Sequence, residues 1–264
     1  MHTGRVRRPV LLLVLVTFVL AGCTGGSDEP EETAATPDPQ PAPTQQITLD
    51  DLGIAGWPAP DGAIPEPPAR PDGVSAAEYE EMTDAVATWG LQAATDPGAV
   101  GEDLPKSLVA AIDDAADAQT EPALARATVL DPDLELRDTR MTAVWETSQD
   151  AGSVDLSLQT RTAYEVENDE GLVRVIGVLR TQGVIASDGA DEWGTLTGWQ
   201  EFGAADCAIV LDGFLTPGGD SDDQVTDLTQ FAEIGNGDEA VTPALPEEDQ
   251  VDEDFARACR AGRV

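Results

Sequence analysis

The chain has 264 residues, with 51 Asp and Glu against 14 Lys and Arg, a formal charge of −37 and 5% aromatic residues. A polyanion of this size repels phosphate backbones, which argues against nucleic-acid binding through counterion release, and it repels anionic lipid surfaces for the same reason. The single histidine is His2, so the rest of the chain has no imidazole for a Ser-His-Asp or Cys-His nucleophile or for a transition-metal site. Lys106 is the lone lysine, and Schiff-base chemistry would rest on that one side chain.

Residues 2–8 carry Arg5, Arg7 and Arg8 and no acid, and a mostly apolar run follows from Val10 to Ala21. That is the charged and apolar pattern of a secretory signal, too short to span a bilayer comfortably. The run ends Leu20-Ala21-Gly22-Cys23, which resembles the lipobox of bacterial lipoproteins. The resemblance implies a signal peptide over residues 1–22, a diacylglyceryl group on the Cys23 thiol and acylation of the new amine. It places the chain on the extracytoplasmic face of the cell membrane, with the bilayer as partner through the acyl anchor. Two or three acyl chains give the stable anchoring that one chain does not.

Residues 23–71 read as a tether. Eleven prolines fall between Thr24 and Pro71 among Thr, Ala, Gln and acids, a composition that buries too little apolar area to offset its ordering entropy. Proline stiffens such a segment toward extended polyproline II. The stretch Ile47-Thr48-Leu49 to Trp57 is the exception, either docking on the body or clustering within the linker.

The body, 72–264, opens on Ser75-Ala76-Ala77-Glu78, a capping box. Tyr79, Met82, Val86, Trp89 and Ala93 then recur at helical steps until Asp96-Pro97-Gly98. A second helix begins near Pro105, with Leu104, Leu108, Ile112 and Ala115 on one face, and residues 121–130 read as a short third. After Asp131-Pro132-Asp133 the period changes. Strands are expected over 134–148, 153–167, 172–186, 193–201 and 208–215, with Asn168-Asp169-Glu170-Gly171 turning a hairpin. In the second strand Val154, Leu156, Leu158, Thr160, Thr162, Tyr164 and Val166 share one face, which leaves Asp155, Glu165 and Glu167 facing solvent. Gly177, Gly183, Gly198 and Gly203 suggest bulges or strong curvature. Residues 216–250 read as an acidic loop, and 251–260 as a closing helix.

Helices followed by strands on short turns make an α+β fold with a curved antiparallel β-meander. Over roughly 75–215 this order resembles the NTF2-like cone fold, in which a curved sheet wraps an N-terminal helix; a lipocalin-like or other curved-sheet binding domain is the alternative. Enzymes of the NTF2-like superfamily use Asp/His or Asp/Tyr sets inside the cone, and with histidine missing no catalytic role carries over.

Among candidate sites, Cys207 and Cys259 are expected to oxidise in an exported chain, closing a loop of 53 residues and contributing ~4 kcal/mol through the unfolded state. Asp220, Asp222 and Asp223 invite a cation, but the EF-hand template fails, because Val225 and Phe231 stand where Gly and Glu are needed. No metal is therefore assigned, and a solvated acidic loop is the default. Arg140, Arg161, Arg174 and Arg180 are scarce cations on expected strands, placed either to hold an anionic ligand by bidentate bonds or to pair with acids across strands. Trp89, Trp145, Trp193, Trp199 and Tyr164 line a pocket or fill a core. The expectation is a membrane-anchored, non-enzymatic ligand-binding or surface-interaction module without cofactor. The alternative is an NTF2-like enzyme or carrier of a small apolar ligand that uses carboxylates.

Overall fold

A computed structural model describes residues 45–117, 127–150, 152–187, 194–202, 213–218 and 222–233, all within the compact unit Asp38–Val264. Its frame is α+β: helix α1 (Ala76–Thr95) and helix α2 (Lys106–Asp117), then strands β1 (Glu135–Asp150), β2 (Ser153–Glu167), β3 (Val173–Ser187) and β4 (Gly194–Phe202), then helix α3 (Asp222–Glu233). The strands pair antiparallel in the order β1-β2-β3-β4. No helix among the described residues is long and apolar enough to cross a membrane.

Helix α1 starts where its cap sits: the Ser75 hydroxyl accepts from Glu78 N at 3.2 Å. Its buried stripe contains all five residues of the expected face, Tyr79, Met82, Val86, Trp89 and Ala93. These pack with Leu108 and Ile112 of α2 against Leu156, Leu158 and Val184 of the sheet, each fully buried aliphatic contributing about 1.5–3 kcal/mol. The β2–β3 turn is closed by Asn168, whose Oδ1 accepts from Glu170 N at 3.1 Å and Leu172 N at 2.9 Å. Gly171 follows at φ +81°, a conformation glycine adopts without penalty. Register is unbroken through β2–β3 across Gly177 and Gly183, and the irregularity in the sheet lies between Leu136 and Asp138. These two glycines serve close approach rather than bulges. A methyl at Gly177 would meet the Phe231 ring at 2.8 Å, and one at Gly183 would meet Leu156 O at 2.5 Å.

Four readings of composition are corrected. Packed chain begins by Gln45 rather than after Pro71, and of the two alternatives for Ile47–Trp57 docking on the body is the one realised, because Ile47, Leu49 and Ile54 are buried against Ala163, Val175 and Phe231. These residues cross the sheet face that period alone gave to solvent; Glu165 there accepts from Leu49 N at 3.0 Å. From Pro58 the same segment runs along the outer edge of β1, with Pro58 O accepting from Met141 N (3.1 Å), Pro65 O from Trp145 Nε1 (3.0 Å) and Asp72 O from Gln149 Nε2 (2.8 Å). A belt rich in proline offers few N–H groups of its own, so it covers this strand edge without presenting a new one.

The acidic segment is not loop throughout: Asp222–Glu233 is helix, with Leu228 and Phe231 buried at helical spacing. Acidic and polar residues outnumber the apolar ones along this helix, which masked that period. Finally, Ala127–Leu130 is not helical. Thr128 N donates to Ala93 O at 2.8 Å, and Leu130 forms a parallel bridge with Leu215. Residues 121–126, and 208–212 of the expected fifth strand, lie outside the described residues, as does the closing helix at 251–260.

Candidate functional site

The strand register separates the four arginines. Arg140 opposes Ala163 and Arg161 opposes Thr142, on the face crossed by the belt; Arg174 opposes Val166 and Arg180 opposes Thr160, on the face covered by α1. They therefore do not converge on one anion. Three of them instead fasten something. Arg140 Nη2 donates to Asp138 Oδ2 at 2.8 Å within its own strand. The Arg161 guanidinium carbon stands 4.6 Å from the Trp57 ring centroid and 5.6 Å from that of Phe231, and its Nη2 donates to Phe231 O at 3.1 Å. One cation thus joins belt, sheet and α3, an arrangement in which ring faces offset part of its lost hydration. Arg174 donates to Gln45 O at 3.1 Å and to Gly218 O at 3.3 Å, tying the start of the belt to the segment 213–218.

Arg180 belongs to a buried polar strip beneath α1 with Thr160, Thr162, Tyr164 and Gln182. The Tyr164 hydroxyl donates to Ala94 O at 2.7 Å, the last turn of α1. Burial pushes this phenol up to about 12, with the Thr128 hydrogen bond and the Arg180 charge acting the other way. The same burial lowers Arg180 to about 10. Gln182 is 0% exposed, and neither its Nε2 nor its Oε1 has a partner among the described residues, as is also true of Trp89 Nε1. Gly90 makes this contact possible, since a methyl there would sit 2.4 Å from Gln182 Nε2. In the backbone register Trp199 and Thr197 of β4 oppose Arg180 and Gln182.

Every charged side chain that is buried among the described residues is an arginine: Arg161 at 4% exposure, Arg174 at 1% and Arg180 at 2%. The described acids bond at the surface or half-buried, as when Asp155 accepts from Ser148 Oγ at 3.0 Å and Glu167 pairs with Arg137. Among the described residues no group of three or more His, Cys, Asp or Glu is placed to hold a metal. Asp222 and Asp223 fall at the start of α3; Asp220 lies outside the described residues. So do Cys23, Cys207, Cys259 and Trp193. Trp89 and Tyr164 are core, and Trp145 is partly buried against it. What the arginine reading missed was their use as fasteners for the belt. The signal available was Trp57, an aromatic inside a Pro-rich run. Comparison of the chain with protein-family models, with curated proteins and with solved structures finds no match.

Proposed function

We propose that the protein is an exported lipoprotein, anchored through Cys23, whose body is a non-enzymatic module that binds a ligand or a partner at the cell surface. The sequence Leu20-Ala21-Gly22-Cys23 behind a basic and apolar leader carries the anchoring part of this reading. The observation that favours binding over catalysis is the sign of the buried charge. Hydrolysis by a carboxylate pair needs one carboxyl whose pKa is lifted by an apolar setting, and the buried charges among the described residues are arginines, of which Arg161 and Arg174 are bonded to main-chain carbonyls. Those arginines hold the fold together, and their positions leave recognition to surfaces that the belt and the helices build.

Growth of a bacterium expressing the full chain on an alkynyl fatty acid tests the anchor. The wild type should carry the label and pellet with membranes, and Cys23→Ser should do neither. A Cys23→Ser chain that still pellets with membranes would sink the anchoring reading. Native mass spectrometry of the chain released from membranes, before any dialysis, tests the body: a retained small-molecule adduct identifies a ligand, and a bare mass directs the search to a protein partner.

A further inference from the structure

We draw no further inference here: the strongest candidate, the buried side-chain cluster beneath α1 in which Gln182 Nε2 and Oε1 and Trp89 Nε1 have no partner among the described residues, carries nothing, because the side chains of β4, which opposes Gln182 at Thr197, lie outside the described residues and nothing in the structure shows a cavity there or what would occupy it.

Discussion

Gly177 and Gly183 lie on the same face of one strand and differ in what stands over them. Above Gly177 is the Phe231 ring, a side chain that can shift with α3; above Gly183 is main chain, Leu156 O at 2.5 Å and Ser157 Cα at 2.8 Å. Overpacking costs about 1–3 kcal/mol where neighbours can move, and more where the obstacle is a paired strand. Gly177→Ala should therefore lower the urea midpoint while leaving a cooperative transition, and Gly183→Ala should lower it further. The reverse order would mean that the Phe231 seat, not the strand spacing, limits this sheet. At Tyr164 the relevant quantity is the proton. Its phenol is held up to about 12 against the ordinary 10, so the folded state keeps a proton that the unfolded chain gives up. That contribution to stability is complete below pH ~10 and is lost as pH rises toward ~12. Arg180, lowered to about 10 from 12.5, works in the opposite direction over the same window. The direct reading is absorbance at 295 nm: Tyr164 should stay un-ionised at pH 11 while the chain is folded, and the delayed phenolate step should vanish in Tyr164→Phe. A full two-tyrosine step centred near 10 in the folded chain would contradict the buried hydroxyl bonded to Ala94 O.

The elements that sequence made legible are those whose pattern is local. Ser75 and Glu78 marked the start of α1, and its face followed from spacing alone; the alternation of β2 from Val154 to Val166 gave the strand and one of its two buried sides. Removing the cap with Ser75→Ala should cost about 1 kcal/mol, read as a lower urea midpoint with unchanged slope. An unchanged midpoint would assign the start of the helix to the Tyr79 hydroxyl bond on Pro68 O instead. What stayed hidden depends on contacts distant in sequence. Ile47, Leu49 and Ile54 stood out as an exception in the Pro-rich run, but which surface they dock on did not, because their partners Ala163, Val175 and Phe231 are distant in sequence. The same holds for α3, where acids outnumber the apolar residues that define its period. The arginines were legible as unusual and not as split between faces, since that needs the register of β1 on β2 and of β2 on β3. The lipobox resemblance at Leu20-Ala21-Gly22-Cys23 is a local chemical pattern, and the anchor it implies belongs to the proposed function.

For the whole molecule the dominant long-range fact is 51 acids against 14 bases, with several of those bases withdrawn into the interior. The surface is therefore still more acidic than the composition. Like charges at this density destabilise the compact state by self-repulsion, and that repulsion reaches ~30 Å at 0.01 M ionic strength but only ~8 Å at 0.15 M. Among the described residues two surface ion pairs act in the other direction, Arg137 with Glu167 and Arg140 with Asp138; salt weakens them, but pairs of this exposure contribute only about 0–1 kcal/mol each. The repulsion involves every acid, so it should win. Raising NaCl from 0.01 to 0.15 M should raise Tm by several degrees, given that ~1 kcal/mol shifts a domain of this size by about 2–4 °C. Most of the gain should come within that range, because screening saturates as the Debye length falls below the spacing of neighbouring carboxylates. The fastening by Arg161 and Arg174 is buried and should respond little, so the salt gain should persist in Arg161→Leu. A Tm that falls with salt would show that attractive pairs, and not the acidic surface, set the electrostatic balance of this fold.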